Sequence, residues 1–232
     1  MTQIRIKMVS IFIIVAVVVL FVFVAVNSKI LGPSDHSYSL SNRYWPGIYS
    51  KIFKTDRNVH RKNLFIADDI FKKYGIEYNL SEGTALGSIR EHDIIEGDTD
   101  VDLELDVNDI EKFKNTIKDF KDEGFTIMRW WIDTNLNGRV INFVSIVRNS
   151  HYIDFQFSGE GLHCITFEDN PPHLCDDFLP IKTPYQKGTI GDRKFRTPSM
   201  KYIELLYGPT WNTPRKGFKP NTEVRDEDGK LK

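Results

Sequence analysis

The chain has 232 residues, 41% of them hydrophobic and 27% charged, with 31 basic against 32 acidic side chains. Such a length suits one domain plus a short appendage, and it can bury a core without disulfide or metal staples. A formal charge of −1 argues against a basic nucleic-acid glove, and equally against an acidic disordered tail.

In chain order, the first feature is Met8–Val26, nineteen residues without a charge and rich in Val, Ile, Phe and Leu. At ~1.5 Å per residue a helix of that length covers ~28 Å, about one hydrocarbon thickness. A cleaved signal peptide is the competing reading, but its apolar stretch runs only ~7–15 residues, and Ala25-Val26-Asn27 is a poor cleavage site. Arg5 and Lys7 precede the run and only Lys29 closely follows it, which puts the N-terminus in the cytosol. The expectation is a cytosolic tail at 1–7, a transmembrane signal anchor at 8–27 and a type II single-pass protein facing a lumen or the outside. Without Arg5 and Lys7, 29 basic residues face 32 acidic ones downstream, a net −3. Residues 28–58, with scattered Ser, Gly, Pro, Asn and Tyr, read as an irregular stem. A globular domain is expected over 59–215, and a flexible charged tail over 216–232.

Within the domain, Leu64, Ala67, Ile70, Phe71 and Tyr74 recur at three- and four-residue steps, an amphipathic helix from Val59 stopped by Gly75. Ile76, Tyr78 and Leu80 alternate as a short strand. Ser81-Glu82-Gly83-Thr84 reads as a turn opening onto a short helix, Ala85–Arg90. Thr99–Asp106 alternates again, with Val101, Leu103 and Leu105 facing one way and Asp100, Asp102 and Glu104 the other. Asp109 caps the next helix, whose buried stripe is Ile110, Phe113, Ile117 and Phe120 and whose stop is Gly124. Phe125–Trp131, Arg139–Arg148 and Tyr152–Phe157 read as strands, the first two joined by an Asn137-Gly138 hairpin. Thr197-Pro198 opens a last helix over Met200–Tyr207, closed by Gly208-Pro209. The order predicts an α+β domain with a mixed or antiparallel sheet and flanking helices.

Cys164 and Cys175 lie in a loop-like stretch where, in a lumenal domain, they are permitted to pair as a disulfide. Free thiols, or a metal grip shared with His163 and His173, are the alternatives, the last disfavoured because His163 and Cys164 are adjacent. Asn79-Leu80-Ser81 is a glycosylation sequon expected to stay unoccupied, since it falls in a strand. Lys182, Lys187, Arg193, Lys194 and Arg196 surround a predicted hairpin, and either bind phosphate or form an ordinary solvated basic loop.

The chemistry concentrates in Ser81–Asp106, SEGTALGSIREHDIIEGDTDVDLELD. On a strand, Asp98, Asp100, Asp102 and Glu104 share one face, and such a row needs a cation or bound protons to be tolerated. A solvated face would mix bases and hydroxyls with the acids. A calcium loop would want Gly at its sixth position, where Leu103 stands. A divalent cation on a strand is the better reading. Gly83-Thr84 before a short helix offers free N–H groups as a phosphate seat. Followed by Gly87-Ser88, Arg90 and the acids, it forms the equipment for phosphoryl transfer. Asp154, alone in the apolar Ile153-Asp154-Phe155 run, is the candidate third carboxylate, or else the partner of a core Arg.

These residues resemble the LicD/fukutin family, whose signature is Gly-Thr-x-Leu-Gly-x-x-Arg, a spacer, then Asp-x-Asp-x-Asp. Tyr152-Ile153-Asp154-Phe155, Phe178-Leu179-Pro180 and Tyr207–Pro214 continue the resemblance in the family's order. It implies a nucleotidyltransferase-like mixed sheet and transfer of a phospho-alcohol, of phosphocholine or phospho-polyol type, from a CDP-activated donor to a glycan. It further implies Mg²⁺ or Mn²⁺ held by Asp100 and Asp102 with Asp98 in support. Gly83, Thr84, Gly87, Ser88 and Arg90 would lie on the substrate side, and Asp154 would complete the metal site or take the acceptor's proton. A type II anchor in the Golgi or ER membrane fits the eukaryotic branch. Members commonly carry Pro-Trp before the first Asp, where this chain has Glu96-Gly97. The rivals are a nucleotidyltransferase proper, and a catalytically idle glycan- or partner-binding homologue.

Overall fold

The structure, a computed structural model, describes residues 55–136, 139–159 and 182–214. The 8–27 anchor, nearly all of the stem, Asn137-Gly138, Cys164, Cys175, His163, His173, Phe178–Pro180 and the 216–232 tail lie outside them. Among the described residues no helix is long and apolar enough to cross a membrane.

Helix α1 (Arg57–Tyr74) starts two residues before the periodicity predicts, because Asp56 caps it by accepting from the Asn58 N–H at 2.8 Å. It ends where Gly75 turns left-handed at φ +62° and Ile76 N–H closes on the Phe71 carbonyl at 3.0 Å. β1 (Tyr78–Leu80) follows, then α2 (Glu82–Arg90). α2 begins three residues earlier than expected, so the Gly-Thr pair lies in its first turn. β2 (Asp102–Asp106) is shorter than the alternation at 99–106 implied, because Asp98–Val101 approach it as an extended lead-in after a turn at Gly97, φ +82°. A 3₁₀ turn, Val107–Asp109, leads into α3 (Ile110–Asp122). β3 (Thr126–Leu136), β4 (Arg139–Arg148) and β5 (His151–Ser158) come next. β6 (Gln186–Ile190), β7 (Arg193–Thr197) and α4 (Met200–Tyr207) complete the described elements.

Five strands form one sheet in the order β1-β2-β5-β4-β3, with β2 and β5 parallel and the other pairs antiparallel. The domain is therefore α+β with a mixed sheet and flanking helices. β6 and β7 make a separate ribbon.

Strand alternation splits the sheet into two unlike faces. One carries Leu103, Leu105, Val144, Ile146, Ile153 and Phe155, all essentially inaccessible to solvent. The apolar stripes of α1 and α3 cover it. Phe155 meets Phe71 and Phe113 at centroid distances of 5.5 and 5.0 Å, nearly edge to face. Each such ring contributes about 1.5–3 kcal/mol by burial. The other face carries Asp102, Glu104, Asp154, Ser145 and Arg129, brought side by side by the register.

α2 and the β6–β7 ribbon hold the polar face in place. A Cβ at Gly188 would collide with the Ser88 hydroxyl, so only glycine lets β6 approach α2 this closely. Asn79 is buried in β1, so a glycan there would require that strand to open.

Candidate active site

The site is built on the C-terminal half of the lead-in to β2. Asp100, Asp102 and Asp154 each offer a carboxylate oxygen, and these atoms lie within 4.8 Å of one another. Parallel pairing of β2 with β5 makes Asp102 and Asp154 direct neighbours. Hydrogen bonds from Val101 N–H to the Tyr152 carbonyl (3.2 Å) and from Asp154 N–H to the Val101 carbonyl (2.8 Å) carry that pairing past the end of β2 and fix Asp100 beside them.

Burial is the first cause that pushes all three carboxyls above the ordinary carboxylate range. Asp154 and Asp98 add to the effect on Asp100, and Asp100 and Asp154 to that on Asp102. Arg129 opposes the shift at both Asp154 and Asp100. Three hard oxygen donors, crowded and short of countercharge, fit Mg²⁺ or Mn²⁺ far better than a softer metal.

Asp98 lies beside the trio. It lines the same cleft, and a Cβ on Gly83 would stand 2.8 Å from its Oδ2, so glycine at 83 is what lets α2 approach that carboxylate. Burial raises the Asp98 carboxyl as well. Glu104, expected in the same acidic row, is elsewhere in chemical terms. Both its oxygens accept from Lys182 Nζ at 2.8 Å, and Oε1 also accepts from Ser158 at 2.6 Å. The row therefore ends in a buried ion pair whose cation comes from the far side of the chain.

The expected substrate-side residues divide into two sets. Gly83 and Arg90 line a cleft of about 1020 Å³ together with Asp98, Asp100 and Asp102. Arg90 is held there by Nη1 on the Trp211 carbonyl (3.1 Å) and Nη2 on Glu91 (2.7 Å). The Thr84, Gly87 and Ser88 side positions face inward. The Thr84 hydroxyl is fully buried and accepts from the Asp102 N–H at 2.9 Å, which ties the first turn of α2 to the start of β2. A Cβ at Gly87 would strike the Asp93 carbonyl at 2.5 Å, and Ser88 donates to the Ala85 carbonyl. These three shape the site without reaching into it.

The basic ribbon contributes nothing to the cleft wall. Lys182 pairs with Glu104, Arg193 with Asp68 and Asp69, and Arg196 with Glu77, and none of the five basic residues singled out there lines the cleft.

The cleft also holds residues to which the sequence assigns no role. Glu82 sits at a left-handed φ of +44° at the head of α2, and burial pushes its carboxyl up to about 7, with Lys182 opposing. Tyr207 and Trp211 form an aromatic side of the cleft, supplied by α4 and the turn after it. The Tyr207–Pro214 run marked this segment, but its place opposite the acids depends on how α4 packs. The core Arg that the sequence allows as a partner for Asp154 is Arg129, at 2.9 Å, though no motif singles out Arg129 or Ser145. A polar residue in each of two apolar strands was the available signal, and nothing local said which carboxylate they meet.

Residues 75–174 match the family described as LicD/FKTN/FKRP, nucleotidyltransferase domain. No curated protein matches the sequence. Among solved structures, ANT(2″)-Ia in complex with adenylyl-2″-tobramycin is similar at 12% identity and a TM-score of 0.42, over 62% of this chain and 72% of that one. A solution structure of the antibiotic-resistance factor ANT(2″)-Ia scores 0.41, also at 12% identity, over 64% and 69%.

Proposed function

We propose that this chain, which belongs to the LicD family through residues 75–174, is a membrane-anchored, metal-dependent phosphotransferase acting on a glycan. The observation that carries the reading is the trio Asp100, Asp102 and Asp154, with ligand atoms within 4.8 Å, of which Asp100 and Asp102 line a cleft that the first turn of α2 also lines. The donor is a CDP-activated alcohol of phospho-polyol or phosphocholine type. An acceptor hydroxyl oxygen bonds to the phosphorus carrying the alcohol and gives up its proton to water, the bond from that phosphorus to the bridging diphosphate oxygen breaks, and CMP departs.

Asp100, Asp102 and Asp154 would hold Mg²⁺ or Mn²⁺. When bound, that ion supplies charge neutralisation and a fixed template for the diphosphate. The chain's own contribution is position. The Thr84 hydroxyl fixes the Asp102 backbone, and Gly83 lets the opening turn of α2 lie against the acids. Arg90 adds a cation on the same wall. Both oxygens of Asp154 already accept from Arg129, and Oδ1 accepts from Ser145 as well, which favours a ligand role over that of proton acceptor.

The charge-free run at 8–26 would anchor the protein with its N-terminus in the cytosol and its domain in the lumen of the Golgi or ER. Protease protection of the domain in sealed microsomes tests that orientation, and digestion without detergent contradicts it.

The activity test uses the full chain, Mn²⁺ and a panel of CDP-alcohols, with CMP release as readout. Turnover that survives Asp100→Asn and Asp102→Asn sinks the assigned site. A nucleotide left on the acceptor makes the protein a nucleotidyltransferase proper. Tight glycan binding without turnover of any CDP donor makes it a binding homologue.

A further inference from the structure

Resting on the metal reading above, we propose that Arg129 is a positioning residue for the acidic trio, acting through Asp154 by fixing the orientation of that ligand. Nothing in the signature motifs marks it. Four neighbouring strands place Arg129, Ser145, Asp154 and Asp102 in one line across the polar face, each opposite the next.

Arg129 reaches that line only through an irregularity. β3 and β4 pair Ile127 with Ile146 and then Arg129 with Ser145, so Met128 is an extra residue on β3. In an unbroken ladder residue 128 would face Ser145, and Arg129 would point to the helix-covered side. The bulge turns the guanidinium onto the acids.

The contacts fit a group kept for its charge and position. Nη2 donates to Asp154 Oδ1 at 3.1 Å and Oδ2 at 2.9 Å, and the Ser145 hydroxyl also donates to Oδ1. The guanidinium lies over the Phe143 ring at 4.8 Å and the Trp131 ring at 5.8 Å, which fixes its plane. Its Nε is buried with no hydrogen-bond partner. A side chain recruited to fill hydrogen bonds would not leave that donor unmet.

Partners that orient metal ligands typically change metal affinity 10–100-fold when removed. The test is Mn²⁺ binding to the full chain, followed by electron paramagnetic resonance, beside thermal unfolding. Arg129→Met is expected to weaken Mn²⁺ binding by roughly 100-fold, and Arg129→Lys, which keeps one cationic nitrogen, by roughly 10-fold. Because the effect passes through Asp154, adding Arg129→Met to Asp154→Asn should change Mn²⁺ affinity no further. If Arg129→Met does not fold, Arg129→Lys and the double variant carry the decision. Wild-type Mn²⁺ affinity in folded Arg129→Lys and Arg129→Met, with only the melting temperature lowered, would overturn the role and leave the metal site standing. Failure of the unaltered chain to bind Mn²⁺ would overturn the metal reading and this role with it.

Discussion

The two faces of the central sheet are made from alternate residues of the same strands, yet they solve opposite problems. Leu103, Leu105 and Phe155 meet α1 and α3, and everything on that side lowers the free energy by leaving water. Asp102 and Asp154, one residue away along the same strands, are crowded against like charge in a place where burial disfavours their ions. The apolar face stabilises the fold, and the acidic face is tolerated because of it. Within the acidic face a second contrast appears. Glu104 is neutralised by Lys182 inside the protein, whereas two residues earlier Asp102 has no such cation among the described residues.

The sharpest way to break this contrast is Asp102→Asn. Loss of one ligand should cut CMP release by on the order of 10³-fold or more, as expected where a metal supplies several kcal/mol of charge stabilisation. The same change removes a repelled charge, so the metal-free protein should melt a few degrees higher, in line with about 1 kcal/mol of relief. A lower melting temperature would show that Asp102 is part of the scaffold.

Lys182→Met should do the reverse. It strands the buried Glu104 carboxylate and should cost about 3–5 kcal/mol in denaturant unfolding. The pair Lys182→Met with Glu104→Leu should recover most of that loss. Recovery fails if Lys182 contributes something beyond its charge.

Thr84→Val keeps shape but leaves the Asp102 N–H without its acceptor. A cost of about 1–3 kcal/mol is expected, with a fall in Mn²⁺ affinity because Asp102 loses its tether. Unchanged Mn²⁺ binding would mean that β2 alone fixes Asp102.

The smallest effect is on pH dependence. The trio's folded pKa values lie above the unfolded value near ~3.9, so the folded state binds protons more tightly. Stability from these groups is full below ~pH 4 and declines as pH rises through the raised values. The metal-free protein should melt lower at pH 8 than at pH 5.5, and Mn²⁺ should raise the melting temperature more at pH 8. Asp102→Asn should flatten that slope.

Much of this arrangement was legible because local rules and tertiary packing agree. α4 runs from Met200 to Tyr207 as the Pro198 and Gly208 signals predict, and β4 spans Arg139–Arg148 as read. The Asp-x-Asp-x-Asp alternation was legible as chemistry and misleading as structure. A period of two looks the same in a strand and in the lead-in before it, so the alternation predicts a β2 three residues longer than the one that forms. Partners distant in sequence were not legible. Lys182 meets Glu104 across 78 positions, and no local pattern ties the two together. Arg129 depends on a single extra residue in β3, and a bulge leaves no trace in hydrophobic alternation.

The parallel pairing of β2 and β5 has a kinetic side. Asp102 and Asp154 are fifty-two positions apart, and α3, β3 and β4 lie between them in the chain. Closing so long a loop is a non-local step, slow compared with helix or hairpin formation. A nascent chain that ends before β5 carries the Asp-x-Asp motif without the neighbour that makes it a site.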